Sequence, residues 1–368
     1  MFDRTTLIGL AATSIVALPL AEIGRKAEAG ETRTRTFSSV TALAVTDMAM
    51  SVDGEEMDTE RMRGGETTTT FALTTKDVFE TADGTRPTKF VRTYESANQK
   101  SERAGGGGGQ GGGPGGGGGP GGGGRGGPRE LTTALVGEDV VFTWDAEGGQ
   151  YVAALPEDST LDAALLEGLA ADLEFDAFLP SGDVEVGSEW DVPLEVFAAF
   201  IRPAGNLHLA PAEAPAGEGE RRGRMGGRFG GGGNPEELGV EGAYEGSIKA
   251  KLVELGEQDG ARVARIEIAV DMSARYDMTD AIEPVSRETD NGEMTMSTLE
   301  AVLTRKAEGK GELVWNVARG TLVALTLEAE LEHVDVNATE MSFDGADSRI
   351  TERETTSEGT LKFEYRVE

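Results

Sequence analysis

Two imidazoles, His208 and His333, and no cysteine at all stand in this chain of 368 residues. A zinc centre or a Ser-His-Asp relay would have to be built from those two rings. Disulfides, thiolate ligands, cysteine nucleophiles and a lipidated N-terminal cysteine are excluded outright. Neither ring lies in a metal or triad motif. His333 continues the inward row Leu327, Ala329, Leu331 and reads as a core or strand-end residue, whereas His208, in "GNLHLAPAEAPAG", opens a Pro/Ala-rich connector and reads as exposed. Carboxylates are plentiful, with 66 Asp and Glu against 34 Lys and Arg and a formal charge of −32. "SVDGEEMDTE" (51–60) and "RETDNGEM" (287–294) gather oxygens near turns, yet no calcium loop of alternating Asp with a distal Glu occurs. Turn composition accounts for both stretches. Met48/Met50 and Met294/Met296 are spaced i,i+2, as packing on strands requires, and lack the His or Cys neighbours of a soft-metal site. Asn337–Thr339 spells a glycosylation sequon. The expectation is a protein with no catalytic, cofactor-binding or metal-ligating residue, and no enzyme.

Glycine raises a different question. "AGGGGGQGGGPGGGGGPGGGGRGGP" (104–128) holds nineteen glycines in twenty-five positions. A phosphate loop needs a few glycines at set places between strand and helix, usually with a lysine nearby, and collagen needs glycine at every third residue. The tract meets neither condition. A second tract, "GERRGRMGGRFGGGG" (219–233), carries Arg221, Arg222, Arg224, Arg228 and Phe229, and by itself resembles an RNA-binding segment. On a chain of charge −32 the field opposes nucleic acid, so both tracts read as linker and loop. The second tract's arginines could also fold back on 151–200, which has twelve carboxylates and no Lys or Arg.

The elements that would position any site are strands. In "ARVARIEIAVDMSA", Ala264, Ile266, Ile268, Val270 and Met272 oppose Arg265, Glu267, Asp271 and Ser273. "LVALTLEAELEHV" and the closing Leu361, Phe363, Tyr365, Val367 alternate likewise. Period-two patterns of this length predict long antiparallel strands with one buried face. Turns fall at "ADGT" (82–85), "DAEGG" (145–149), "EQDG" (257–260) and "VARG" (317–320). Laying Trp144 on Trp315 matches Asp145 with Asn316 and Gly149 with Gly320, which predicts two related β units. Between them, Leu161, Leu165, Leu169 and Leu173 form a helical stripe after the cap-type residues Asp158–Thr160, and a second short helix is expected from Pro193 to Ile201. The fold class is therefore mainly β: a curved sheet, half-barrel or barrel-like form with two short central helices and glycine-rich loops.

Arg4 followed by the apolar run Leu7–Leu20 predicts an export signal, with small residues at Ala27 and Ala29 for cleavage and Pro19-Leu20-Ala21 as the alternative junction. The apolar run is short for a membrane span, and no other segment could serve as one. The expected organisation is a signal at 1–29, a first β unit at 30–157, a helical insertion at 158–205, a Pro/Gly/Arg-rich linker at 206–240 and a second β unit at 241–368. With its export signal, amphipathic strands in two units and central "VGSEWDVPL", the chain resembles uncharacterised exported bacterial proteins known only as domains of unknown function. In architecture it is also similar to periplasmic lipoprotein-carrier and lipid-carrier half-barrels. That resemblance implies an exported, periplasmic or extracellular binding protein that shelters a lipid or other hydrophobic molecule against the sheet. The alternative is a structural or interaction protein of the envelope that engages a protein partner through acidic faces and flexible tracts. A large apolar cavity would favour the first and filled cores the second.

Overall fold

The computed structural model describes residues 23–60, 63–104, 129–171, 175–211, 235, 238–258, 260–289, 292–343 and 348–368. The expected loop at 104–128 beyond its first residue, the arginine-bearing tract at 219–233 and the first 22 residues of the expected signal lie outside them.

Among the described residues there are fifteen strands: β1 (Thr32–Val52), β2 (Glu55–Glu56), β3 (Glu66–Ala82), β4 (Pro87–Ala104), β5 (Arg129–Thr132), β6 (Asp139–Asp145), β7 (Gln150–Ala154), β8 (Glu189–Val192), β9 (Ala210–Pro211), β10 (Ala243–Gln258), β11 (Ala261–Asp277), β12 (Val285–Thr289), β13 (Gly292–Asn316), β14 (Thr321–Phe343) and β15 (Arg349–Val367). All join one sheet, in the order β7-β6-β4-β3-β1-β15-β14-β13-β11-β10-β8, and the two edges are not paired to each other. Strands of this length are unusual; β13 alone has 25 residues, or roughly 80 Å at about 3.3 Å per residue.

The sequence overlay has a topological counterpart. The meander β1-β3-β4-β6-β7 recurs in the same sense as β8-β10-β11-β13-β14, with β15 lying between the two copies. The matched turns also share their geometry. Gly149 and Gly320 both take left-handed φ, 64° and 61°, and the preceding Asp145 and Asn316 side chains accept the Glu147 and Arg319 backbone N–H groups. Chain ends fuse the copies, because β1 pairs with β15 from Arg35↔Val367 to Val52↔Thr351. Gly359 lets that pair close tightly, since a Cβ there would run into the Ala42 carbonyl.

Inward rows read off this register are the expected ones. Ile266, Ile268, Val270 and Met272 are buried, as are Leu325, Leu327, Ala329, Leu331, Leu361, Phe363 and Tyr365. Burial is concentrated toward one end of the long strands, although Ala301 and Val302 of β13 are buried further along. Toward the other end the inward row passes through His333, Asp335, Asn337 and Thr339 on β14, and Thr355, Arg353 and Thr351 on β15, all half-buried. Met48, Met50, Met294 and Met296 belong to this less covered end and are half-buried rather than core.

One expectation about the insertion is corrected. Among its described residues the leucine stripe 156–173 does not form an α-helix; the helical piece there is a 3-10 turn at Ala163–Leu166, started by the Asp162 side chain. The reason lies in where the backbone finds partners. The Asn206 N–H donates to the Gly168 carbonyl and the Ala170 N–H to the Ala204 carbonyl, so a second chain segment replaces the i−4 ladder. Gly168, at φ 76°, ends the helical path, and Leu173 lies outside the described residues. The second helix is present, as a 3-10 turn at Leu194–Val196 leading into α1 (Phe197–Ile201).

Residues 163–171, 175–188 and 193–209 form a cover on the sheet's inward face, with β8 between the last two joining the sheet edge. Phe175, Phe178 and Phe200 cluster there, and the Phe200 ring meets Phe363 edge-on at 4.8 Å while Phe363 meets Phe37 at 4.5 Å. Replacing Phe363 by alanine empties the centre of this stack, so a loss of about 3–5 kcal/mol in unfolding free energy is expected. Urea denaturation followed by tryptophan fluorescence would measure it.

Candidate functional site

Along the row that includes Phe37, Leu73, Phe90 and Tyr94, four charged residues point inward: Arg33, Arg35, Asp77 and Arg92, all buried. Asp77 is held from two strands. Arg35 Nη1 donates to Asp77 Oδ2 at 2.5 Å, and Arg92 grips the same carboxylate with Nε on Oδ1 and Nη2 on Oδ2, both at 2.8 Å. The Arg92 guanidinium also reaches the cover, donating to the Ala170 and Ala171 carbonyls at 3.0 and 2.8 Å. Burial works against its charge, and Asp77 more than offsets that, so Arg92 stays cationic. Burial also pushes the neighbouring Tyr94 phenol up, with Arg92 opposing. Arg92 lies near the rings of Phe90 and Phe142 at 5.3 and 5.1 Å. This arrangement fixes the cover to the sheet and has no open face for a substrate.

The cover's other half is stitched through its own backbone. Gly205, at φ 73°, passes so close to the Gly168 carbonyl that no side chain would fit. His208 is corrected from its expected exposed place in a connector: it is half-buried, and its Nε2 lies 3.0 Å from the Glu167 carbonyl. On the opposite side, Trp190 of β8 donates its indole N–H to the Phe178 carbonyl.

Between the cover and the inward face lies a cavity of about 430 Å³, within the roughly 300–1,000 Å³ range of small-molecule sites. Its walls are mixed: Phe71, Leu131, Leu207 and Leu209 are apolar, Ser39, Thr41, Thr69, Gln99, Asn206 and His208 are polar, and Arg202 and Arg305 reach it from the cover and from β13. Larger hollows of about 840 and 970 Å³ lie against the sheet's outward side, where Glu308, Glu330 and Lys306 contribute charged walls.

His333 is inward-facing, as its parity predicts, and pairs across the strands with Arg305. Burial, followed by the Arg305 charge, pulls its pKa down to about 4, and its Nε2 is buried without a hydrogen-bond partner. The ring is therefore structural and neutral near pH 7. Nearby charge is that of Arg305 with the Asp335–Arg353 pair, whose closest atoms are 3.6 Å apart. Among the described residues no group of three or more His, Asp or Glu converges on a metal position. The turn at 51–60 uses Asp53 and Gly54, both at positive φ, to link β1 to β2, with the Asp53 carboxylate accepting the Ile350 N–H.

The inward charges were missed by motif reasoning, yet parity exposes them. In "TRTRTF", Arg33 and Arg35 share the face of Phe37; Asp77 shares that of Leu73 and Phe79, and Arg92 that of Phe90. A charge interrupting an apolar row is the signal.

These features define a single-sheet β protein with an internal cover and a small, partly open cavity beside it. No protein-family model and no curated protein matches the chain. Among solved structures it is similar to an outer membrane channel from Pseudomonas putida F1, at 10% identity over 94% of this chain and 98% of that one, with a TM-score of 0.18. A mutant porin of Rh. blastica matches at 10% identity over 91% and 100%, with a TM-score of 0.16. Likenesses at such scores carry no argument about this protein.

Two outcomes follow. Asp77→Ala leaves Arg35 and Arg92 buried together without their shared carboxylate, so a loss of about 3–5 kcal/mol is expected in urea unfolding. His333 binds its proton more readily when unfolded, because its folded pKa of about 4 lies below the ordinary value of 6.5. Its contribution is therefore fully present above pH 6.5 and is lost as the pH falls toward 4. The urea midpoint of His333→Leu should fall less over that interval than the wild type's.

Proposed function

We propose that this is an exported, non-enzymatic binding protein of the cell envelope that holds a hydrophobic ligand between its cover and the inward face of its sheet. The observation that carries this reading is the 430 Å³ cavity, which has an apolar part at Phe71, Leu131, Leu207 and Leu209 and lies beside a segment that is itself fastened to the sheet. Export is supported by the N-terminal signal pattern and by an acidic chain suited to remaining soluble.

The packing also favours one cleavage junction. Ile23 and Ala27 are buried, the Lys26 N–H donates to the Gly320 carbonyl, and Arg33 Nη2 donates to the Lys26 carbonyl. Cleavage after Ala29 would remove this strap; cleavage after Ala21 would keep it.

A membrane pore fits the surface poorly. The outward row of β14 carries Glu328, Glu330 and Glu332, and that of β15 carries Lys362, Glu364 and Arg366. Charges on a lipid-facing strand cost up to about 2–4 kcal/mol each at mid-membrane. One observation favours the alternative of an envelope structural or interaction protein: Phe175, Phe178 and Phe200 already fill the deepest part of the inward face.

Gentle native mass spectrometry of the protein from its own envelope fraction, followed by solvent extraction, tests the reading. The expected result is a stoichiometric organic adduct on a chain beginning near residue 22. A chain with no adduct would overturn ligand carriage, and one beginning at residue 30 would overturn the upstream junction.

A further inference from the structure

The polar groups in the wall of the cavity differ in what they have left to offer a ligand. Most are spent within the protein. Thr69 Oγ1 lies 3.1 Å from Ser101 Oγ, the Asn206 side chain accepts the His208 backbone N–H, and His208 Nε2 lies 3.0 Å from the Glu167 carbonyl. Arg202 and Arg305 have partners of their own, the Tyr276 ring at 5.3 Å among those of Arg305. Three side chains remain. Among the described residues, those of Ser39, Thr41 and Gln99 make no hydrogen bond. Ser39 is only 6% exposed, so its hydroxyl looks into the cavity rather than out to bulk water. Strand register sets the three around an apolar centre. Ser39, Phe71 and Gln99 are neighbours in one row across β1, β3 and β4, and Thr41 stands two positions on from Ser39, opposite Thr69. Leu131 of β5 extends the row past Gln99. At about 4.8 Å between strands, Ser39 and Gln99 stand roughly 10 Å apart with Phe71 between them.

Building on the carriage reading above, we infer that the hydrophobic ligand carries an uncharged, hydroxyl-rich head of the glycoside class. The head bonds Ser39, Thr41 and Gln99 with one ring face toward Phe71, and the chain lies along Leu131, Leu207 and Leu209. A wholly apolar ligand would strip water from three polar side chains and return no bond. A charged head meets no free counter-charge, because no carboxylate lines the cavity and both guanidiniums are engaged, so its desolvation goes uncompensated. Hydroxyls suit the trio because each can both donate and accept, as can the Ser and Thr hydroxyls and the Gln amide that they meet. A pyranose ring also pairs C–H faces with a rim of hydroxyls, as this row pairs Phe71 and Leu131 with Ser39 and Gln99.

Calorimetric titration of the full chain with octyl β-glucoside, octan-1-ol, octyl sulfate and glucose, the amphiphiles below their micelle concentrations, tests this. Octyl glucoside is expected to bind at least about tenfold tighter than octanol, the scale of one hydrogen bond, and tighter than octyl sulfate or glucose. Thr41→Val and Gln99→Leu, both close in shape to the native residues, should each lower that preference while leaving octanol binding in place. Ser39→Ala gives the same readout should either fail to fold. Equal affinity for octyl glucoside and octanol, or tightest binding of octyl sulfate, would overturn the hydroxylated head while leaving carriage of a hydrophobic ligand standing. A preference that survives all three variants would overturn the assignment of these residues. Glucose binding as tightly as octyl glucoside would overturn hydrophobic carriage and leave a sugar site, and no binding of any probe would overturn both.

Discussion

The double grip of Arg92, on Asp77 within the sheet and on the Ala170 and Ala171 carbonyls of the cover, is the interaction on which the rest depends. A sheet with one apolar face must cover that face, and here the cover is irregular backbone whose carbonyls would otherwise be buried without donors. A guanidinium with five N–H groups can satisfy a carboxylate and two carbonyls together. Lysine, a point charge with three donors, could not span both. The arrangement is costly to bury and is stable only complete. It accordingly sits at the base of the cover, among Phe90, Phe142 and Tyr94.

From that anchor the molecule divides into two ends. At one, the aromatics of the cover pack against Phe363 and Tyr365, and Phe363 against Phe37. At the other, the inward rows turn polar and half-buried along β14 and β15. The cavity lies beside the cover and reaches Arg305 on β13.

The strap at residues 23–27 adds a further constraint. Ala27 bridges to Gly84 and Lys26 bonds to Gly320, so one short segment ties the β3–β4 turn to the β13–β14 turn. Those turns belong to the two separate meanders. The strap therefore helps hold the sheet's two halves together at its covered end, apart from the β1–β15 pairing.

What the sequence determined by itself is the strand content, which residues face inward and the turn positions. Each is set by local rules: side chains alternate strictly along a strand, and tight turns demand particular residues. It also sufficed to place a short helix after Pro193. Tertiary structure alone decided three things. The leucine stripe at 161–169 became a stitched loop because the segment 204–206 supplied its hydrogen bonds, a competition invisible to a helical period. His208 moved from an expected connector into the cover because Asn206 and Gly205 dock there. The bringing together of Arg202 and Arg305, more than a hundred positions apart in the sequence, follows from sheet order, and no spacing along the chain records it.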